Sequence, residues 1–566
     1  MKIAMAQTNP VIGDFDFNIR KIIKCADEAR GLGCDLIVFP ELSISGYPPG
    51  DLLEHDDFID NQLEAFRKLV DSIQGIGVLC GVVNRQNTNH NNDQNTLQAE
   101  SHAVSQTDNQ TVQGQRLLFN SAMLFEEKKI IARIDKQILA CHDTFDETRY
   151  FTPGPLSSLI VYKGLKLGIT ICGNIWNDQE GPGHHDHSPV ADLARLGADL
   201  FINIAASPFH DKKQNLRDTL FRKIATDYNR PLIFVNQVGG NDSTLFDGMS
   251  LALTSRGKTA ARAMDFSEDL VVFDTTSEKG SCHEVSTTEN QAILKALVMG
   301  TRDYVTKCGF KRVVLGSSGG IDSALTAAIA AAALGGENVK TIFMPSIYTS
   351  KENFEDTKAL ADNLGASWHS IPIAPMYDAF LNLSGTFDPQ KPGITEQNIQ
   401  ARIRGTILMA FSNMEGSMLL APGNKSEMAV GYSTLYGDMC GGLAVIGDLT
   451  KEKVYAISRL INQEQEIIPL SILEKAPSAE LAPGQTDQDD LPSYDIIDAV
   501  VKGHVEEHQG IDEMVAMGLD RSAVEEIVRR ITRNEYKRYQ APPILRVTTK
   551  AFGMGTRFPM AQGYRP

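Results

Sequence analysis

Two sets of residues in this chain have the types that reactions need. The first is the octet Gly316-Ser317-Ser318-Gly319-Gly320-Ile321-Asp322-Ser323. An apolar run led by two β-branched valines, 313–315, precedes it, and an Ala-rich stretch reaching Leu334 follows. Glycines let the backbone turn tightly and bring its N–H groups close to a ligand, and the start of the new helix adds free amides and the positive end of its dipole. Such a turn binds an anion, and phosphate is the natural one. No lysine follows the glycines, so the pattern is not the common GxxxxGK[ST] phosphate loop. The second set is Glu41, Lys136 and Cys172. A free thiol is only a few per cent ionised at neutral pH and needs a partner to act as a nucleophile. A carboxylate can take its proton, and a lysine cation can hold the thiolate and a developing oxyanion. Together they make a set able to hydrolyse an amide. Taken singly they have ordinary readings: a core thiol, a helix cap and a surface cation.

The elements around these residues decide whether they can meet. Glu41 follows the apolar run 36–39, Lys136 follows a strand read over 130–134, and Cys172 closes a strand read over 167–172. All three stand at strand ends, where loops collect functional groups on a rigid frame. Strands at 2–6, 77–83, 121–125, 159–162, 200–204 and 232–236, with helical spacing over 16–31 and 61–73, give an α/β layered pattern for the front half. Residues 85–116 are rich in Asn, Gln, Ser and Thr and nearly devoid of large apolar residues, which reads as a mobile surface insertion. A polar run stands around 275–290. It divides the chain into a domain over 1–272, a linker over 273–290 and a second domain over 291–566. A helix from Gln291 leads into the strand before the glycine octet, strands and helices alternate to about 470, 475–494 is a Pro-rich loop, and helices fill 495–540.

SGGIDS (318–323, with Ser317 before it) resembles the pyrophosphate loop of the ATP pyrophosphatases, which adenylate a substrate and release pyrophosphate. In the front half, FPELSISGYPPGDLL (39–53), FNSAMLF (119–125), FDETRYF (145–151), ITIC with Trp176 beyond it, and NIAASPFH (203–210) resemble the nitrilase superfamily. More closely they are similar to the glutaminase domain of glutamine-dependent NAD synthetases. The resemblance implies an α-β-β-α sandwich, with Glu41 as proton acceptor, Lys136 as oxyanion stabiliser, Cys172 as the nucleophile that forms a glutamyl thioester, and Glu147 as a second carboxylate. It also implies His142, Ser207 and Lys213 around the glutamine head group. Two departures stand out: Gly173-Asn174 replaces the family's Glu-Asp, and His142 replaces its Tyr.

In the back half, MPSIYTS (344–350), EQNIQARIRG (396–405), GNKSEMAVGYSTLYGD (423–438), GDLTKEKVY (447–455), PSAELAPGQTDQDDLP (477–492) and NEYKRYQAPP (534–543) resemble the NAD synthetase family in order and spacing. The implied fold is Rossmann-like with a parallel sheet. The turn at 423–427 offers Lys425 and Glu427. Gly316 to Ser323, Met344, Pro422 and Lys451 are expected around ATP, and Asp322 and Glu427 around Mg²⁺, a cation that takes oxygen ligands and is commonly shared with phosphates. Asn398, Arg402, Glu427, Tyr432, Ser433, Thr434, Leu435, Asp438 and Lys537 are expected around deamido-NAD. Pro422 departs from the family's Thr and offers no hydroxyl. The implied reaction is glutamine-dependent NAD synthesis, with ammonia from glutamine displacing AMP from adenylated deamido-NAD. Two alternatives stand beside it: an ammonia-dependent synthetase with a non-catalytic front half, and another ATP-pyrophosphatase amidotransferase.

Composition sets the outer bounds. At 566 residues the chain exceeds one core, and 42% hydrophobic with 22% charged residues is ordinary for a globular enzyme. A net charge of −17 argues against nucleic acid or an anionic membrane as partner. No apolar run is long enough to span a bilayer, and MKIAMAQTNPVIGDF lacks the profile of a signal peptide. Eight scattered cysteines without zinc spacing suit reduced cytoplasmic thiols. Small-molecule substrates and a homo-oligomer, as the resemblance implies, are the expected partners.

Overall fold

The computed structural model describes residues 1–86, 117–141, 144–176, 188–383, 393–478, 480–482 and 484–564. Most of the insertion read over 85–116 lies outside the described residues, and so does His142. The chain forms two compact units. One comprises Met1–Phe209, Lys213–Asn241 and Phe246–Ser286; the other comprises His210–Lys212, Asp242–Leu245 and Thr287–Pro566.

The first unit stacks two sheets. A seven-stranded sheet runs in the order Lys279–Gly280, Asp269–Asp274, Lys2–Gln7, Leu36–Val38, Gly77–Gln86, Leu117–Glu126, Lys129–Asp135. A six-stranded sheet runs Thr259–Arg262, Leu251–Leu253, Leu232–Asn236, Leu200–Ala205, Leu165–Ile171, Ile160–Tyr162. Met5, Val38 and Leu79 of one meet Ile169, Ile202 and Val235 of the other in a buried core. Helices cover both outer faces. Phe15–Gly31 packs Ile22 and Ala26 on the first sheet beside Phe66 and Leu69 of Asp56–Ser72. Pro189–Arg195 and Lys213–Asp227 cover the second. Apolar faces on both sides of each sheet can be buried only by such layering, so this is the expected α-β-β-α sandwich.

Three readings of this region are corrected. The helix read from Asn61 starts at Asp56, where Asp56 and Asp57 sit favourably at the dipole's positive end. Strand Gly77–Gln86 pairs over nine residues with Leu117–Glu126, so its polar end at Arg85 and Gln86 is ladder rather than insertion. The run read as a linker from 273 is strand through Asp274, and Lys279–Gly280 folds back on Phe273 and Asp274. Its polar residues mark a tight hairpin turn, with Glu278 in the left-handed region at φ 49°.

The second unit is built on a five-stranded, all-parallel sheet: Ser367–Ser370, Val339–Phe343, Val313–Gly316, Met418–Ala421, Leu443–Ala444. The chain leaves Val313–Gly316 to one side and later returns on the other with Met418–Ala421. The strand order therefore reverses between those two neighbours, and ligands bind outside the carboxyl ends of the strands at such a switch point. The Ala-rich helix spans Ile321–Leu334, begins directly after the glycines, and has Gly320 as its cap with no side chain on its free amides. A group of helices, including Tyr494–Val501 and Arg521–Arg533, closes the C-terminal side around Val500, Ile527 and Val528.

Candidate active sites

In the first unit, three chain-distant turns bring the amidase set together. Glu41 leaves its strand through a turn in which Leu42 adopts φ 44°. The neighbouring strand must carry glycine here: a Cβ on Gly81 would stand 2.1 Å from Leu42 N and 2.8 Å from Glu41 Cα. Lys136 follows Lys129–Asp135, and its backbone N–H donates to Asn120 O at 2.8 Å. Cys172 is the first residue after Leu165–Ile171 and holds φ 40°. That left-handed conformation costs a β-carbon residue about 1–3 kcal/mol and collects at functional turns.

Lys136 Nζ donates to Glu41 Oε1 at 2.7 Å and to Glu147 Oε1 at 2.8 Å, with the Lys136 and Glu41 side chains fully buried. Every carboxylate oxygen of the trio is occupied. Asn120 Nδ2 donates to Glu41 Oε1 at 2.7 Å and the Ala206 N–H to Glu41 Oε2 at 3.0 Å. Tyr47 OH donates to Glu147 Oε1 at 2.9 Å, and the Ala140 N–H to Glu147 Oε2 at 2.8 Å. One cation thus serves two anions. Burial pushes the Glu41 carboxyl up, partly opposed by Lys136. Burial alone would lower Lys136, but the charges of Glu147 and Glu41 outweigh it and hold the ammonium above its ordinary value. The Cys172 thiol is pushed up to about 12, by burial first and then by the charge of Glu41, with Lys136 opposing. At neutral pH it is a thiol, and its proton has a raised, buried carboxylate as its destination.

Asn174 explains itself. It is buried, and its Oδ1 accepts the Ile138 N–H at 3.0 Å, which ties the Cys172 turn to the segment carrying Lys136. Gly173 needs no glycine, because a Cβ would meet only Ile138 O at 3.7 Å. Ser207 is buried, its N–H donates to Asn236 Oδ1 at 2.8 Å, and Lys213 Nζ lies 4.0 Å from the ring centre of Trp176. Sequence reasoning missed Tyr47, Asn120 and the Ala206 amide.

In the second unit, a cavity of about 270 Å³ opens at the switch point. Gly316 to Ser323, Met344, Pro422, Glu427, Tyr432, Thr434, Asp438 and Lys451 line it, as read from the sequence. The glycine loop braces itself: the Ser318 N–H donates to Ser323 Oγ, which in turn donates to Gly320 O at 3.0 Å. Lys451 Nζ donates to Asp322 Oδ2 at 2.6 Å and to Glu427 Oε1 at 3.2 Å, and Asn424 Nδ2 to Asp322 Oδ1 at 2.9 Å. Burial, and then the charge of Asp322, push Glu427 up to about 8 against the pull of Lys451, with Asp487 adding to the crowding. Carboxylates therefore outnumber the cation among them, and hard oxygen donors with excess negative charge fit Mg²⁺. Among the described residues no group of three or more Asp, Glu, His or Cys side chains forms a metal cage. Two carboxylates suit an ion completed by phosphate oxygens.

Asn398, Arg402, Ser433, Leu435 and Lys537 do not line the cavity but cluster on its rim. Thr434 Oγ1 donates to Asn398 Oδ1 at 2.8 Å, Arg402 Nε to Leu435 O at 3.3 Å, and Lys537 Nζ to Ser433 O at 2.8 Å. Arg404, not singled out in the sequence, lines the cavity and donates from Nε to Met344 O at 3.1 Å; burial lowers it to about 10. With Ala401, Gly405 and Leu408 it makes one helical face at spacings three and four, a signal the sequence did carry. Lys425, two residues before Glu427, points elsewhere: it is fully buried against Asp448 at 2.9 Å and Glu506 at 2.6 Å.

The two halves are thus a nitrilase-type amidase and an adenylating α/β enzyme in one chain. Residues 2–280 match the carbon-nitrogen hydrolase family and residues 293–541 match NAD synthase. The chain is 43% identical to the glutamine-dependent NAD(+) synthetase of a Synechocystis species, covering 100% of this chain and 99% of that one. It is 37% identical to the enzyme of the same name from Thermotoga maritima, with the same coverage. Among solved structures, the glutamine-dependent NAD+ synthetase from Acinetobacter baumannii in complex with ADP is 35% identical with a TM-score of 0.74, over 99% of this chain and 98% of that chain. The chain belongs to the family of glutamine-dependent NAD(+) synthetases.

Proposed function

We propose that the residues assembled above divide the work of this ATP-dependent, AMP-forming ligase between two sites. At the first, Cys172 Sγ attacks the side-chain carbonyl carbon of glutamine while its proton passes to Glu41. Lys136 stabilises the oxyanion, and Glu147 holds Lys136 in place. Glu41 returns the proton to the leaving nitrogen, ammonia departs, and a thioester remains. Water, deprotonated by Glu41, then releases glutamate. Because the thiol is held up near 12, attack and proton transfer to Glu41 belong to one step rather than starting from a standing thiolate. Ser207 and Lys213 border the glutamine head group.

At the second site, the 316–323 loop and the start of Ile321–Leu334 receive the triphosphate, with Met344, Pro422 and Lys451 around the nucleotide. A nicotinate carboxylate oxygen of deamido-NAD attacks the α-phosphorus and pyrophosphate leaves. Ammonia then attacks the acyl carbon, and AMP leaves as NAD forms. Asp322 and Glu427 would hold Mg²⁺, which supplies charge neutralisation of the phosphates when bound. Glu427, Tyr432, Thr434 and Asp438 in the cavity, with Asn398, Arg402, Ser433, Leu435 and Lys537 beside it, face deamido-NAD. The free state of all eight cysteines supports a cytoplasmic setting, and the exposed apolar side chains of Met376, Phe380 and Leu383 support self-association.

The observation that carries the amidase half is Lys136 bridging two buried carboxylates beside Cys172. The reading of the front half as non-catalytic rested on Gly173-Asn174 and on His142, which lies outside the described residues. Asn174 instead ties that turn to the Lys136 segment, which favours a working site. The test is NAD formation by the intact chain from glutamine and, separately, from ammonium. Use of ammonium alone would overturn the amidase assignment.

A further inference from the structure

The glycine loop binds polyphosphate without a lysine of its own, so the cation that such a loop needs comes from elsewhere or is missing. Among the described residues three cations line the cavity: Arg404, Lys451 and Lys475. Lys451 is committed between Asp322 and Glu427. Arg404 is anchored on Met344 O. Lys475 remains. Its Nζ donates to Asn353 Oδ1 at 2.5 Å and to Glu480 Oε1 at 2.8 Å, and Asn353 Nδ2 donates to Glu480 Oε2 at 2.6 Å.

Asn353 places this trio. It is buried, at the start of helix Lys351–Leu364, and its side chain stands directly over the loop's Gly319. Gly319 holds φ 87°, and a Cβ there would lie 2.6 Å from Asn353 Cγ and 2.7 Å from Oδ1. The oxygen that accepts from Lys475 is therefore among the atoms packed against the loop backbone. An anion cradled by the loop amides comes within reach of the Lys475 ammonium and, equally, of the Glu480 carboxylate, which repels it. The Lys475–Glu480 pair is partly exposed, with side chains 29% and 22% accessible, and such pairs give up little on exchange. A charge-assisted bond to a phosphate oxygen in the loop replaces it favourably.

We infer that Lys475 is the pyrophosphate-binding cation of this site: it leaves Glu480 when the triphosphate enters and holds the β,γ-phosphates as they become the leaving group, taking the place of the lysine the loop lacks. This rests on the reading of the cavity as the ATP site, and Asp322→Asn tests that reading separately. The experiment follows ammonium-driven NAD formation by the full chain, measuring KM for ATP and product inhibition by inorganic pyrophosphate, with melting temperature as the check on folding. Lys475→Ala should raise both the KM for ATP and the inhibition constant for pyrophosphate by about tenfold or more, the worth of a charged hydrogen bond. Lys475→Arg should restore most of both. Glu480→Gln, which removes only the resting partner, should leave pyrophosphate inhibition at least as tight as in the unaltered chain. If Glu480→Gln weakens it as Lys475→Ala does, the pair is a structural latch and the inference falls. It also falls if a folded Lys475→Ala variant keeps the original pyrophosphate inhibition while Asp322→Asn loses synthesis. If Asp322→Asn keeps synthesis, the reading of the cavity itself falls.

Discussion

The proposed amidase centre and the proposed adenylation cavity face opposite electrostatic problems. In the first, the reacting groups belong to the protein, and every oxygen of Glu41 and Glu147 already has a donor. In the second, the substrate brings most of the charge. The cavity carries a cation on an exchangeable partner, Lys475 on Glu480, beside Lys451 buried between Asp322 and Glu427, and the Ser317 hydroxyl in the loop is buried with no protein partner. A site that performs covalent chemistry with its own side chains gains by preorganisation, because its groups then need not rearrange in the transition state. A site for a polyphosphate needs groups that can change partners when the anion arrives.

The contrast can be broken most sharply at Cys172. Cys172→Ala should abolish glutamine-driven NAD formation, by at least about 10⁴-fold, and leave ammonium-driven formation standing. Equal loss from both nitrogen sources would mean that the two sites do not divide the work. Next comes Asp322→Asn, which should lower synthesis from both sources by about 10²–10³-fold, as loss of a carboxylate that holds the charge-neutralising cation would. Its glutaminase rate, followed as glutamate release, checks that the loss is confined to adenylation.

A smaller effect separates Glu147 from its neighbours. Glu147→Gln leaves Lys136 with one anionic partner, and glutamine hydrolysis should fall by about 10–100-fold. Cys172 should at the same time become easier to alkylate, because the Glu147 charge is one of the influences that raise its thiol. The sign follows from the acid form: with the thiol near 12, iodoacetamide labelling of the unaltered chain should climb about tenfold per pH unit from 7 to 10 with no plateau, and the variant's curve should lie at lower pH. A plateau below pH 9 in the unaltered chain would show a standing thiolate. The smallest effect is expected at Asn174→Ala. Loss of one neutral hydrogen bond to Ile138 should lower kcat for glutamine by about 3–10-fold, with KM little changed and ammonium-driven synthesis untouched.

Much of the candidate amidase centre was legible because Glu41, Lys136 and Cys172 sit at strand ends, which an apolar run followed by a polar turn marks, and within motifs that resemble the nitrilase superfamily. Its supporting donors were not. Tyr47 and Asn120 reach Glu147 and Glu41 across 100 and 79 positions of chain, and the Ala206 amide has no side chain to notice. In the cavity the distinctions the sequence left open are helical. Arg402 and Arg404 differ by two positions, as do Lys425 and Glu427, and two positions turn a helix side chain about 200°. One member of each pair therefore faces the cavity and the other does not. The loop at 475–494 carried an expectation of function through its prolines and length, but nothing in it announced that Lys475 bonds the Asn353 side chain packed on Gly319.

What the sequence determined by itself was local. The glycines and the Ala-rich run before and after Asp322 set a turn and a helix start whose amides favour an anion, whatever surrounds them. The layered alternation of strands and helices follows equally from the spacing of apolar residues. Tertiary structure decided the charge balance: that Lys136 is shared by two carboxylates rather than free to ionise Cys172, and that Lys451 and Lys475 wait on carboxylates beside the loop. Coulomb energies depend on distance and on burial, and both are set only when segments remote in sequence pack together.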